Sequence, residues 1–242
     1  MQSYQVELLE VRPVALNTME FVFSRPQGFS FVAGQAVDFI IGDVTETLRM
    51  QDVRHCFSLL SAPHESVLRI ATRVRDSVYK QALLTMPLGS LLHIEPPFGN
   101  LALDDDQRRA VVMLAGGIGI TPFMSILQQA QQQNSQQQLL LLYSNRSVKD
   151  AAYLEQLQQL EQQIANFKLV ATMTDMAATD HVWGGETGYF TAELIQRECR
   201  QLQRPLYYVS GPPRLVESVY DLLEEVGVDD DDIRVESFTG YE

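Results

Sequence analysis

The segment Val111 to Leu127, VVMLAGGIGITPFMSIL, constrains the fold of this chain more than any other: an apolar strand runs into two adjacent glycines, a third glycine, Thr121-Pro122 and an apolar helix. A strand that reverses tightly into a helix, and whose backbone must admit a phosphate, needs positions without side chains. Gly116, Gly117 and Gly119 supply them. Thr121 is the expected N-cap, and Pro122 suits the first helical position, where its missing N–H would have had no partner. The positive end of such a helix would face an anion. Pro122 stands where the last glycine of a G-x-G-x-x-G fingerprint belongs, so the turn departs from the standard dinucleotide pattern.

Around this turn the chain has two rhythms. Up to about Leu103 short β-rich runs alternate with turn residues, at Gln5 to Val11, Thr18 to Phe23, Ala36 to Ile41, His55 to Leu60, Val67 to Thr72 and Leu91 to Pro96. They predict a six-stranded antiparallel Greek-key β-barrel over residues 1–105, interrupted by one helix from Val78 to Thr85. After Arg108 apolar strands near Ala110 to Ala115, Leu139 to Tyr143, Phe167 to Thr172, Leu206 to Ser210 and Ile233 to Ser237 alternate with helical patterns. This predicts an α/β domain with a five-stranded parallel sheet over residues 106–242.

Ligands of open α/β sheets sit beyond the carboxyl ends of the strands. Three turn-rich segments begin there: the glycine turn, the polar stretch Ser144-Asn145-Arg146-Ser147, and Gly211-Pro212-Pro213 after Ser210. Arg146 is therefore a candidate for a phosphate or ribose contact. Two cysteines and four histidines without ligand spacing argue against a metal or an iron-sulfur cluster. The net charge of -13 and the lack of a Lys/Arg cluster argue against nucleic acid. No apolar run approaches the roughly 20 residues of a membrane span, and the first residues lack a leader pattern. A cytoplasmic monomer is expected.

Four segments, taken in order, resemble the ferredoxin-NADP(H) reductase superfamily: HCFSLLSAP at His55 to Pro63, AGGIGITP at Ala115 to Pro122, SGPP at Ser210 to Pro213 and ESFTGY at Glu236 to Tyr241. The resemblance implies a flavin-binding barrel followed by a nicotinamide-nucleotide domain, without an iron-sulfur module. Phe57 would pack on the flavin ring and the Ser58 hydroxyl would approach its reactive nitrogen. The family's phosphate-binding arginine is replaced by His55, with Arg54 one residue earlier. Either His55 makes that contact or another arginine supplies the charge, Arg54 requiring a bulge or bend to do so.

The segment ATRVRDSVYK carries Arg73 and Arg75 ahead of a helix whose N-cap would be Ser77 or Asp76, an arrangement suited to a diphosphate. The resemblance thus implies FAD. Gly116, Gly117, Gly119, Thr121, Pro122, Arg146, Ser210, Gly211 and Pro212 would hold NAD(P), Ser210 replacing the family's cysteine beside the nicotinamide. Glu236 and Tyr241 match the acidic and aromatic residues that end the family's chains near the flavin, with Ser58 and Glu236 as the catalytic pair.

The expected function is transfer of a hydride from NADPH or NADH to bound FAD, and of electrons onward to a separate acceptor. Ferredoxin or flavodoxin is the family's usual acceptor. Those partners are acidic, as is this chain, which favours free flavin, another small molecule or a basic partner. The alternative is a flavin- or nucleotide-binding relay or regulatory subunit of a larger complex without independent turnover.

Overall fold

The computed structural model describes residues 3–42, 53–74, 77–103, 107–175 and 183–238. Six strands form the first sheet: β1 (Tyr4–Ala15), β2 (Thr18–Ser24), β3 (Ala36–Ile40), β4 (Arg54–Ser58), β5 (Val67–Arg73) and β6 (Leu91–Ile94), in the order β4-β3-β6-β1-β2-β5. All pairings are antiparallel. β1 divides its partners, Tyr4 to Glu7 pairing with β6 and Leu8 to Ala15 with β2, with a register shift after Leu8 that bends the strand. The two edge strands are tied just beyond β4, where Leu60 N–H donates to Arg69 O at 2.8 Å. The inward residues, among them Phe21, Phe23, Phe39, Phe57 and Leu68, fill the interior.

Helix α1 (Val78–Thr85) closes one side, capped by Ser77, whose side chain accepts from Lys80 N–H. Its Tyr79 ring is buried, and the hydroxyl donates to Phe39 O at 3.1 Å.

The second sheet is parallel, in the order β10-β9-β8-β7-β11-β12: β7 (Val111–Gly116), β8 (Leu139–Asn145), β9 (Phe167–Met173), β10 (Glu186–Thr187), β11 (Leu206–Gly211) and β12 (Ile233–Ser237). The five strands legible in the sequence are all present, and β10 adds a two-residue edge beside β9. β7, β8 and β11 are buried at every residue, as strands covered on both faces must be. Their alternate side chains separate into two cores. Val112, Leu114, Leu140, Leu142 and Val209 meet α4 (Ala192–Cys199) and α5 (Pro213–Glu225). Val111, Met113, Leu141, Tyr143 and Tyr208 meet α2 (Thr121–Gln132) and α3 (Leu154–Gln163).

That second core also takes in Ala33, Leu60, Ala71 and Leu101 from the barrel half, so the seam between the halves is part of a hydrophobic core. Buried polar groups lock it. Ser125 Oγ donates to Ser61 O at 2.7 Å. The fully buried carboxylate of Glu20 on β2 receives Arg12 at 2.6 Å and, across the seam, the Tyr153 hydroxyl at 2.7 Å. Tyr153 reaches it from a left-handed backbone conformation, φ 61°, just before α3. Burial beside that carboxylate pushes the Tyr153 phenol well above its ordinary value. Among the described residues no helix is long and apolar enough to cross a membrane.

Candidate functional site

β7 lies at the point where the strand order reverses, with β8 on one side and β11 on the other, and the glycine turn leaves its carboxyl end. The three glycines do different work. A Cβ on Gly116 would lie 2.3 Å from the Leu215 side chain, and one on Gly119 would lie 2.2 Å from the Ser210 carbonyl oxygen. These two positions let the turn pack against β11 and α5. Gly117 alone has a left-handed conformation, φ 55°, with open space where its side chain would be. It is the place where a ligand can reach the backbone.

The expected N-cap at Thr121 is corrected by the structure. Gly117–Ile120 forms a 3-10 turn, α2 starts at Thr121 with Ile120 as the flanking residue, and Thr121 Oγ1 donates to Ile118 O at 3.2 Å. Thr121 is buried, so its hydroxyl secures the turn and does not reach outward. Pro122 sits in the first helical turn, as its lack of an N–H favours.

A cleft of about 590 Å³ crosses the carboxyl edge of the sheet, lined by Gly116, Gly117 and Pro212 at one end and by Asn145, Arg146, Thr174, Asp175 and Tyr189 at the other. Arg73 enters its wall from the barrel and pairs with Asp150 at 3.2 Å. This arginine, a candidate for the flavin diphosphate, therefore faces the cleft beside the glycine turn. Arg146 is largely exposed and pairs with Asp175 at 3.4 Å. Asn145 is buried at the end of β8, its side-chain amide against the Tyr143 hydroxyl.

Asn145, Thr174, Asp175 and Tyr189 carry no local sequence pattern that singles them out as binding residues. The strand-end rule that points to Arg146 applies equally to Thr174 and Asp175, which follow β9. Tyr189 stands 79% exposed at the rim, held by Gly188, whose N–H donates to Met173 O at 2.9 Å and whose carbonyl accepts from Thr172 Oγ1 at 2.7 Å.

On the other flank Ser210 pairs in register with Ala115 of β7 and Glu236 of β12. Its hydroxyl is fully buried and has no partner among the described residues. Gly211 packs on Gly116, and Pro212 is the flanking residue of α5. Glu236 accepts a short hydrogen bond from Ser58 Oγ of β4, joining the two sheets. Burial raises the Glu236 carboxyl above its usual range, and the Ser58 bond only partly opposes this.

Phe57 points into the barrel core, 5% exposed, with the His55 ring stacked on it at 4.6 Å and 16°. Strand alternation puts both rings on the α1 side, so His55, and not Phe57, is the partly exposed ring of the stack. Burial lowers the His55 pKa and so favours the neutral ring. Arg54, Cys56 and Ser58 occupy the opposite face. Arg54 is held by Asp38 at 2.6 Å and by both oxygens of Glu95 at 3.0 and 2.7 Å, an arrangement that leaves it engaged in the barrel wall. Cys56 is exposed, yet partial desolvation beside Asp38 and Glu236 pushes its thiol up to about 12, so it is no thiolate nucleophile at neutral pH. Ser77 caps α1 as expected, while Arg75, Asp76 and Tyr241 lie outside the described residues.

Residues 113–221 match the family model of the oxidoreductase NAD-binding domain. Among solved structures, the chain superposes on a ferredoxin NADP+ reductase from Neisseria gonorrhoeae with bound FAD and NADP, with TM-score 0.80 and 20% identity over 98% of this chain and 99% of that one. It superposes equally on the FAD/NAD binding domain of a nitric oxide dioxygenase from Vibrio cholerae, with TM-score 0.79 and 21% identity over 97% and 98% of the two chains. The chain has the fold of the ferredoxin-NADP reductase-like flavoprotein reductases.

Curated relatives that match part of their length to this chain include one component of the Na(+)-translocating NADH-quinone reductases. The Neisseria meningitidis protein is 28% identical over 205 residues, covering 78% of this chain and 50% of that protein. The Psychrobacter cryohalolentis protein is 29% identical over 156 residues, covering 63% and 38%. The chain thus spans half or less of the length of these relatives.

Proposed function

We propose that the chain is a flavin-dependent oxidoreductase that takes a hydride from NAD(P)H onto FAD and passes electrons to a separate acceptor. The observation that carries this reading is the Ser58–Glu236 hydrogen bond, which joins a barrel hydroxyl to a carboxyl on β12, in register with Ser210 of β11, the strand next to β7 and its glycine turn. The residues fit the groups required. Gly117 offers an open backbone for a pyrophosphate, and Ser210 offers a buried hydroxyl without a partner among the described residues. On the barrel, the capped start of α1 and the neighbouring His55 ring suit the flavin nucleotide, with Ser58 at its reactive edge. When bound, FAD accepts the hydride and releases electrons singly or in pairs.

The chain's own work is positioning and proton control. Gly117 and Pro212 would orient the donor's diphosphate and Ser210 would hydrogen-bond the nicotinamide end, while Arg73 and Arg146 stand at the cleft wall paired with Asp150 and Asp175. Glu236 holds its proton to higher pH than an ordinary carboxyl, and Ser58 connects it to the barrel side. With a net charge of -13, the protein disfavours an acidic redox partner, which supports a small or basic acceptor.

A second reading, an electron-relay module within a larger assembly, draws support from the relatives, which are named as components of a quinone reductase. One experiment separates the readings. Purified protein supplied with FAD is mixed with NADH or NADPH in a stopped-flow cell, and free flavin, quinone and ferricyanide are then offered. Bleaching within seconds and sustained turnover with an added acceptor are expected. Bleaching without turnover on any acceptor supports the relay, and a chain that takes up no flavin refutes both.

A further inference from the structure

Where β4 meets α1 the barrel gathers four rings into one cluster. Phe39 and Phe57 meet edge to face at 5.9 Å, Tyr79 of α1 lies 5.9 Å from Phe57, and His55 stacks on Phe57 at 4.6 Å and 16°. Phe39, Phe57 and Tyr79 are buried, and of these four rings only His55 stands partly exposed. The imidazole is thus the outermost layer of a packed aromatic stack, with its inner face already used.

The orientation and charge of this ring are both set. Its Nδ1–H donates to Cys56 O at 2.9 Å, since a carbonyl can only accept. Burial favours the neutral ring, Lys80 adds to this, and the Cys56 bond and Asp38 only partly oppose it. A neutral imidazole with its proton on Nδ1 has a lone pair on Nε2. Such a ring carries no charge to offset a phosphate and no second N–H to donate to one. What it offers is a fixed flat surface with an acceptor at its edge, which suits a base and the hydroxyls of its sugar.

The position of His55 indicates which ring it meets. FAD has two flat ring systems, the flavin and the adenine, joined through a diphosphate. The reactive flavin edge belongs with Ser58, which is turned toward Glu236 of the second sheet. His55 lies three residues earlier, roughly 10 Å along the strand and on its opposite face. There it adjoins α1, with Tyr79 at 5.4 Å, and the capped start of that helix suits the diphosphate. With the flavin ring at Ser58 and the diphosphate at α1, the ring system left for His55 is the adenine.

Resting on the reading of the barrel as the flavin site, we infer that His55 is the platform on which the adenine of FAD stacks, so that the chain selects FAD over FMN through the base.

The test uses the full chain freed of flavin and follows binding of FAD, FMN and riboflavin by flavin fluorescence, with wild type, His55→Ala and His55→Phe compared. Stacking of a base on an aromatic ring is expected to make FAD bind to wild type at least about tenfold more tightly than FMN. In His55→Ala that preference should fall by about tenfold, through weaker FAD binding alone, and in His55→Phe, which restores a ring, it should persist. The preference should also survive 0.5 M salt, roughly the range in which exposed phosphate contacts are screened. Equal affinity of wild type for FAD and FMN overturns the inference, as does a loss of both flavins by the same factor in His55→Ala, and both results leave the flavin site standing. Loss of the preference in His55→Phe also overturns it, and decides the matter if His55→Ala does not fold. Failure of wild type to bind any of the three flavins overturns the site and the inference together.

Discussion

Replacing glycines within a single turn should separate packing from ligand binding, because Gly119 and Gly117 stand two residues apart and face opposite constraints. In Gly119→Ala the new Cβ would lie 2.2 Å from Ser210 O, 2.6 Å from Ser210 C and 2.7 Å from Gly211 Cα, all backbone atoms. Ordinary contact begins near 3.4 Å, so the turn and the end of β11 must part by about 1.2 Å. No rotamer relieves this, and the parting strains the last β7–β11 pairing at Ala115 and Ser210. Overpacking against backbone is expected to cost about 3 kcal/mol. For a chain of this size that lowers Tm by roughly 6–12 °C.

Gly117→Ala meets no atom within 4 Å, and its penalty is the left-handed backbone alone, roughly 1–2 kcal/mol. Its methyl group, however, occupies the opening assigned to the pyrophosphate, and a tenfold or greater loss of ADP-ribose affinity, about 1.4 kcal/mol, is expected. Scanning calorimetry of both variants, paired with ADP-ribose titration, checks the two effects together. The reasoning is refuted if Gly119→Ala melts with wild type, or if Gly117→Ala binds ADP-ribose as wild type does.

Two further outcomes follow from the titratable and charged groups. Because burial raises Glu236 in the folded state, the fold binds its proton more tightly than the unfolded chain. The stability this contributes is complete below the unfolded carboxyl's value, about 4.3, and is lost as pH rises through the folded value. Glu236→Gln lacks that loss, so its Tm relative to wild type should climb between pH 4 and 7, and a pH-independent difference would contradict the assignment. Arg54→Met leaves Asp38 and Glu95 facing each other, and should lower stability by about 2 kcal/mol in urea unfolding. Retention of FAD on desalting should be unchanged, whereas stripping of flavin from this variant alone would return Arg54 to the flavin phosphate.

Much of the architecture is legible in the chain because burial imposes the period. The barrel strands alternate, and β7, β8 and β11 are unbroken apolar runs that only a doubly covered parallel sheet accommodates. β10 escapes notice because two residues carry no period. At the site, the glycines and Ser210 are legible from type and spacing. The cap at Thr121 is not, because a 3-10 turn lies between strand and helix and shifts the flanking position to Ile120. The stacking of His55 on Phe57, and the engagement of Arg54 with Asp38 and Glu95, depend on which face of β4 meets the interior. Asn145, Arg73 and Asp175 converge only through strand order and the barrel's placement, which no local pattern records.

The seam has a consequence for recombination. Because Ala33, Leu60, Ala71 and Leu101 of the barrel half belong to the same core as α2 and β7, and Tyr153 completes the shell around Glu20, neither half presents a finished surface on its own. A chimera that borrows the α/β half from a reductase of different donor preference inherits mismatched apolar contacts and an uncapped carboxylate, and should be insoluble unless these seam positions travel with it. Exchanging loops along the cleft leaves the seam intact, and so offers a route by which this scaffold can diversify while the paired halves stay as they are.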